Sequence, residues 1–150
     1  MISRGFTFLE VLIVMSVFAL VGTFTLFMSM ETYRGSSFHS DRDLLVLTLQ
    51  RARSQAIHNE CYGVCADGKA HGVHIQPNAY ILFQGATYDP NDPLNVTFSA
   101  NTAVSRSPST ANIIFLQLTG NCTAQSITLS YQGKNSIISV ETNGRISWSN

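Results

Sequence analysis

Residues 4–30 read RGFTFLEVLIVMSVFALVGTFTLFMSM, and no charged side chain occurs from Val11 to Met30. About twenty consecutive apolar residues are enough for an α-helix to cross the hydrocarbon core of a bilayer. The stretch therefore predicts a membrane-spanning helix in contact with lipid. Arg4 precedes the apolar run, and by the positive-inside rule it keeps the N-terminus in the cytoplasm. Everything after Met30 is then expected outside the cytoplasm.

One acidic residue, Glu10, interrupts the apolar run. An ionised carboxylate within hydrocarbon costs about 2.5 to 3.5 kcal/mol on insertion scales, so this charge requires a partner. An ordinary secretory signal has an apolar stretch of about 7 to 15 residues with a small-residue cleavage site after it. Here the apolar stretch is longer, and the small residue, Gly5, comes before it. The N-terminus is therefore not an ordinary secretory signal.

In Gly5, Phe6 and Glu10 the sequence resembles the class III signal of type IV prepilins and type II secretion pseudopilins. The resemblance implies cleavage between Gly5 and Phe6 by a membrane prepilin peptidase, followed by N-methylation of Phe6. It also implies an inner-membrane assembly platform and packing of the helix with other subunits in a filament core. Glu10 would then be neutralised by the N-terminal ammonium of a neighbouring subunit. A plain N-terminal anchor is the alternative, but it leaves the three residues unexplained together.

The length of 150 residues suits one small domain with an appendage. Lys and Arg together number nine, as do Asp and Glu, so the formal net charge is zero. This balance argues against a strongly acidic or strongly basic partner.

Helical periodicity continues after the apolar run. Four apolar residues form one stripe at spacings of four, three and four: Leu45, Leu49, Ala52 and Ala56. The simplest prediction is one long helix from about Phe6 to about His58. A bend or weakened turn is expected at Gly35–Ser37, where helix propensity falls.

Beyond Glu60 the pattern changes to strands and turns. Gly72–Gln76 and Tyr80–Gln84 read as a hairpin, Leu94–Ser99 as an edge strand, and Asn101–Asn112 as a loop. The other predicted strands are Ile113–Thr119, Ser126–Tyr131, Ser136–Glu141 and Arg145–Trp148, with a type I′ turn at Asn143-Gly144. Polar and apolar residues alternate in Ser126–Tyr131. This alternation predicts that one face of the strand is buried and the other is exposed to water.

The expected fold is α+β, with a long N-terminal helix packed on an antiparallel β-sheet head. The predicted parts of the chain are a leader (1–5), a transmembrane and filament-core helix (6–30), an amphipathic helix (31–60) and a β-rich head (61–150).

The head also resembles a known group. The segments LQRARSQA, GVHI, YILF, IIFLQLTG and SVETNGRISW are similar to the H-type pseudopilins, the GspH/FimT group that includes FimT-like minor pilins. The resemblance implies a structural minor pilin or pseudopilin of a type IV pilus or type II secretion filament. It is then found in the inner membrane and, after assembly, in a periplasmic or extracellular filament. No cofactor and no catalytic activity are expected. The sequence contains no motif that combines a nucleophile with a general base and a residue to orient that base, and it contains no glycine-rich phosphate-binding loop.

DNA is an alternative partner. Some FimT-like proteins bind DNA through a Gly-Arg-x-Arg motif, of which Arg145 matches the first arginine while Ser147 stands at the second. With a neutral head, the electrostatic footprint of a DNA-binding protein is missing. The arginines of the predicted amphipathic helix are interleaved with Asp41 and Asp43, and we assign them to a helix face that is exposed to solvent.

A zinc site is the second alternative, and its candidate ligands are His58, Cys61, Cys65, His71 and His74. His74, however, alternates with apolar neighbours as an outward strand residue would, and thiols outside the cytoplasm tend to form disulfides. Of the possible bridges we expect Cys65 with Cys122, and the local alternative is Cys61 with Cys65. Spacing alone does not determine the connectivity.

Overall fold

A computed structural model describes residues 7–65 and 67–150, apart from the side chains of residues 25–34. This part of the chain consists of one helix, α1 (Phe8–Ile57), followed by eight strands. The strands are β1 (His71–Ile75), β2 (Ala79–Gln84), β3 (Val96–Ser99), β4 (Ser105–Ser107), β5 (Ala111–Phe115), β6 (Gln125–Tyr131), β7 (Lys134–Val140) and β8 (Ile146–Ser149). The chain divides into two compact units between Ser37 and Phe38.

Local sequence explains both ends of α1. Thr7 caps the N-terminus, because the Glu10 N–H donates to the Thr7 hydroxyl at 3.3 Å. At the other end Asn59 adopts a left-handed conformation (φ 57°) and the Glu60 N–H donates to the Gln55 carbonyl at 2.9 Å. This pattern is a Schellman-type C-cap, with asparagine in the position that usually holds glycine.

At Gly35–Ser37, where a bend or weakened turn was expected, α1 continues as helix without interruption. Low helix propensity costs each such residue at most about 1 kcal/mol. Elongation of a long helix is cooperative, so a short segment of weak helix formers is tolerated between strong ones.

Among the described residues, no helix contains an apolar stretch that is long enough to cross a membrane. The membrane-spanning segment predicted for residues 6–30 includes Phe6 and the side chains of residues 25–30, which lie outside the described part.

The strands form two antiparallel four-stranded sheets, with orders β3-β2-β1-β5 and β4-β6-β7-β8. The predicted hairpin is confirmed as β1 and β2, which pair from His71 with Gln84 to Ile75 with Tyr80. The predicted edge strand is β3. The segment Asn101–Asn112 was expected to be a loop, but it contains β4, which pairs with β6. A three-residue polar strand gives no periodic signal, so sequence reasoning missed it.

The two hairpin turns of the second sheet differ in type. Gln132 and Gly133, with φ of 48° and 80°, form the two-residue loop between β6 and β7, as a type I′ turn requires. At the predicted type I′ turn only Gly144 has positive φ, and the Glu141 N–H donates to the Arg145 carbonyl at 2.9 Å. This pairing encloses three residues, with Gly144 in the left-handed position, so the predicted turn type is wrong.

The core of the second unit lies between α1 and the two sheets. The predicted helix stripe is confirmed, since Leu45, Leu49, Ala52 and Ala56 are fully buried. The alternation predicted in β6 is also confirmed, because Ile127 and Leu129 are buried while Ser126 is exposed. Further core residues come from both sheets: Val73, Ile75, Tyr80, Ile113, Phe115, Ile138 and Val140.

Candidate functional site

The first unit presents an apolar helix surface. Large apolar side chains from Phe8 to Phe24 are exposed around α1, with Phe8 at 80% and Phe18 at 70% of full exposure. A helix that is apolar on all sides is normally buried in a larger assembly or a membrane. Glu10 is also exposed on this surface and is its only charged residue in the described range. Gly5 and Phe6, the predicted processing residues, lie outside the described residues.

The polar side chains of this surface satisfy their hydrogen bonds within the helix. The Ser16 hydroxyl donates to the Ile13 carbonyl at 2.8 Å, and the Thr23 hydroxyl donates to the Leu20 carbonyl at 2.9 Å. In an apolar environment a polar group must find its partner internally. Ser16 and Thr23 are therefore compatible with burial, and Glu10 is left as the group that requires an external partner.

In the second unit a buried ion pair joins α1 to both sheets. The Arg106 guanidinium on β4 lies 2.7 Å from the Asp41 carboxylate on α1, and both side chains are 1% exposed. Arg106 also donates to the Tyr80 hydroxyl on β2 at 2.8 Å, and that hydroxyl donates to Asp41 at 2.9 Å. The remaining bonds of the guanidinium go to the backbone carbonyls of Pro77, Val104 and Asn101.

This network corrects the assignment of Asp41 to a solvated helix face. Its second carboxylate oxygen accepts the Asn101 N–H at 2.8 Å, so the carboxylate has partners on both oxygens. Burial, followed by the negative charge of Asp41, raises the pKa of Tyr80, which keeps its hydroxyl protonated and able to donate. The arrangement fixes the helix against both sheets.

The expected Cys65–Cys122 bridge is wrong. Cys61 and Cys65 form a disulfide, with their Cα atoms 6.5 Å apart, and Cys122 is a free thiol. The local alternative is therefore the one found, because the turn after α1 folds the chain back on itself within four residues. The Cys122 thiol is partly buried and donates to the Glu141 carbonyl at 3.1 Å. Burial raises its pKa.

The five candidate zinc ligands do not converge. Cys61 and Cys65 are oxidised to each other, and the His71 ring Nε2 lies 2.9 Å from the Glu60 carbonyl oxygen. His74 was expected to face outward, but its ring stacks on Tyr88 at a centroid distance of 4.0 Å. Both faces of β1 are covered, so strand alternation does not separate buried from exposed positions there. Within the described ranges, no group of three or more His, Cys, Asp or Glu side chains could hold a metal ion.

Arg145 lies at the end of the turn before β8, and its side chain is 72% exposed. Its backbone N–H donates to the Asn143 side-chain oxygen at 2.8 Å. Its guanidinium Nε lies 4.0 Å from a Glu141 carboxylate oxygen, which is the limit of an ion pair. The charge of Arg145 is therefore accessible but has an acidic residue beside it.

Comparison with known protein families finds two matches along the chain. Residues 42–144 match the family described as type II transport protein GspH, and residues 1–26 match the prokaryotic N-terminal methylation motif. Among solved structures, the type IV minor pilin FimU of Pseudomonas aeruginosa is similar, with a TM-score of 0.53 at 16% sequence identity. The similarity covers 77% of this chain and 92% of that chain, and at this identity it shows the fold. No curated protein matched in a sequence comparison.

Proposed function

The chain belongs to the GspH family of type II transport proteins, and on that premise we propose that it is a minor pilin or pseudopilin that assembles into a filament through α1. The family and the fold are those of structural filament subunits. The observation that carries the proposal is the exposed apolar surface of α1 from Phe8 to Phe24, in a chain with the methylation motif at residues 1–26. Such a surface is too large to remain in water.

The route to the filament follows from the same surface. We propose that residues 6–30 are held in the inner membrane with the head outside the cytoplasm, as the position of Arg4 before the apolar run indicates. A prepilin peptidase then removes residues 1–5, and Phe6 is N-methylated. The assembly platform extracts the processed subunit, so that its helix exchanges lipid for the helices of neighbouring subunits.

During this exchange Glu10 forms an ion pair with the neighbouring subunit. Between Phe8 and Phe24 of the described helix it is the only charged residue, and the hydroxyl groups of Ser16 and Thr23 there already have intrahelical partners. A carboxylate buried in a filament core is stable only with a cation beside it, and the N-terminal ammonium of the next subunit supplies that cation. The pairing therefore selects one register between adjacent helices.

Substitution of Glu10 by alanine is expected to reduce incorporation into filaments at least about tenfold, because the buried pairing is lost. Membrane insertion is expected to be retained, since removal of a carboxylate from hydrocarbon is favourable. The measurement is the ratio of the subunit in sheared filaments to that in membranes, by immunoblot. Ser16→Ala is the matched control, because the Ser16 hydroxyl is bonded within its own helix. Incorporation of Glu10→Ala at the level of the control would contradict the role of Glu10.

DNA binding through Arg145 is the competing function, and it predicts a different result. A filament subunit with zero net charge neutralises few phosphates, so its affinity for duplex DNA is expected to be weak and lost at physiological salt. We expect Arg145→Ala to change this affinity less than about twofold, because the guanidinium is exposed and next to Glu141. Mobility shifts with the full chain in detergent, at low and physiological salt, provide the measurement.

Ser147→Arg serves as the positive control, because it completes the Gly-Arg-x-Arg motif and is expected to raise the affinity. Tight binding by the unmodified chain at physiological salt, lost on Arg145→Ala, would favour a DNA-uptake subunit instead.

A further inference from the structure

An open groove of about 250 Å³ lies beside the last turns of α1 in the second unit. Its lining consists of side chains from one side of that helix: Gln50, Arg53, Ser54, Ile57 and His58. None of the features assigned to filament assembly uses this groove. Arg53 gives it a permanent positive charge, and this arginine forms no ion pair with any residue that the structure describes.

Two glycines of neighbouring loops hold the stem of Arg53 in place. Both have positive φ, 66° at Gly120 and 76° at Gly144. A Cβ on Gly144 would lie 2.7 Å from Arg53 Nε, and a Cβ on Gly120 would lie 2.7 Å from Ile57 Cγ1 and 3.3 Å from Arg53 Cγ. A larger residue at either position would collide with these helix side chains. The stem of Arg53 is therefore fixed by packing and not by a counter-ion.

The outer end of the Arg53 guanidinium has free donors. Its Nη2 donates to the Asn143 carbonyl at 3.3 Å, which is longer than a good N–H···O bond. Its Nη1 has no hydrogen-bond partner among the described residues and is open to solvent, whereas Nε is covered. Glu141, the acidic residue of the neighbouring turn, lies beside Arg145 instead. A carboxylate from outside can therefore approach the two Nη atoms end-on, which is a geometry that arginine favours.

Exposed apolar side chains adjoin the groove. Ile57 is 36% exposed, and Leu118 lies next to it, because the Leu118 N–H donates to the Ala56 carbonyl at 2.8 Å. Leu118 is 65% exposed and has a left-handed backbone, with φ of 65°. This conformation strains a leucine, whereas glycine and asparagine adopt it readily. Neither burial nor backbone preference explains a leucine here, so its side chain is available for a contact outside the chain.

We propose that this groove binds a glutamate side chain of another filament subunit. The carboxylate accepts from the two Nη atoms of Arg53, the methylene groups lie on Ile57, and an apolar residue of the same segment contacts Leu118. The uncompensated charge selects a carboxylate, and the apolar border selects a stem and an apolar neighbour. Only the origin of the glutamate rests on the proposed function, because the binding chemistry is contained in the head.

The test uses the full chain in detergent micelles and two fluorescent probe peptides, acetyl-Leu-Glu-Leu-amide and acetyl-Leu-Gln-Leu-amide. At constant ionic strength, fluorescence anisotropy is expected to show at least about tenfold tighter binding of the glutamate peptide, because only a carboxylate forms charge-assisted hydrogen bonds with the guanidinium. In nuclear magnetic resonance spectra of the isotope-labelled chain, this peptide is expected to shift the Arg53 Nε–H resonance. That group reports on the site because it is covered and belongs to the same guanidinium.

Three variants separate binding from folding. Arg53→Met is expected to abolish the preference for the glutamate peptide. Arg51→Met is the matched control and leaves binding unchanged, because Arg51 is an exposed arginine of the same helix that does not line the groove. Leu118→Asn is expected to weaken binding of the glutamate peptide about threefold, since an apolar contact is lost. The same variant is expected to raise the melting temperature, because asparagine tolerates the left-handed conformation.

Four results would overturn the proposal. They are no binding of the glutamate peptide at about 10 mM, equal binding of the two peptides, an undiminished preference in Arg53→Met, and undiminished binding by Leu118→Asn. If Arg53→Met fails to fold, the two peptides on the wild-type chain and the Leu118→Asn variant still decide. These results do not depend on Glu10 or on N-terminal processing, so failure of the groove proposal is distinguishable from failure of the filament proposal.

Discussion

Arg106→Met is expected to lower the free energy of unfolding by about 3 to 5 kcal/mol, because it leaves a buried carboxylate without its cation. Arg106 and Asp41 are almost completely inaccessible, and their pairing connects α1 with β4. The Tyr80 hydroxyl loses a donor in the same substitution. For a domain of this size the melting temperature is expected to fall by roughly 10 to 20 °C.

Thermal unfolding of the full chain in detergent, followed by circular dichroism, measures this effect. Arg145→Met is the matched control, since Arg145 is exposed and lies 4.0 Å from Glu141, which is also partly exposed. Loss of a surface pair is expected to cost less than about 1 kcal/mol. The double variant with Asp41→Leu and Arg106→Met is expected to regain part of the loss, because neither charge remains unpaired. Equal melting temperatures for Arg106→Met and Arg145→Met would show that the buried pair does not hold the head together.

Gly5→Leu is expected to block processing and so to remove the subunit from filaments. A bulky side chain next to the scissile bond displaces the substrate in the peptidase site, and a displacement of about 1 Å costs a reaction roughly a hundredfold in rate. Immunoblots of cells that contain a prepilin peptidase would then show precursor in place of mature protein. Ser3→Ala, in the same leader, is the control and is expected to be processed normally. Normal processing of Gly5→Leu would contradict the proposed cleavage site.

Local patterns in the sequence predicted the parts of the fold that local physics controls. The spacing of Leu45, Leu49, Ala52 and Ala56 predicted the buried side of α1, because a helix repeats every 3.6 residues wherever it packs. Alternation around Ile127 and Leu129 predicted the buried face of β6 in the same way. The N-terminal residues predicted the family through a motif that the comparison with known proteins also found.

The parts that were missed depend on contacts distant in sequence. Arg106 lies in a polar segment without periodicity, and its partner Asp41 is 65 residues away. Asp41 was assigned to a solvated helix face and Arg106 lay in a predicted loop, since only the packing of β4 against α1 brings the two together. The disulfide was misassigned because cysteine spacing does not determine connectivity.

The central claim is that α1 is the filament-forming helix of a processed pilin-like subunit, and the mature N-terminus tests it most directly. Mass spectrometry of protein extracted from membranes of cells with a prepilin peptidase is the measurement. We expect a chain that begins at N-methylated Phe6 and lacks residues 1–5. An intact Met1 in such cells, or cleavage near Met30 after the apolar run, would contradict the account.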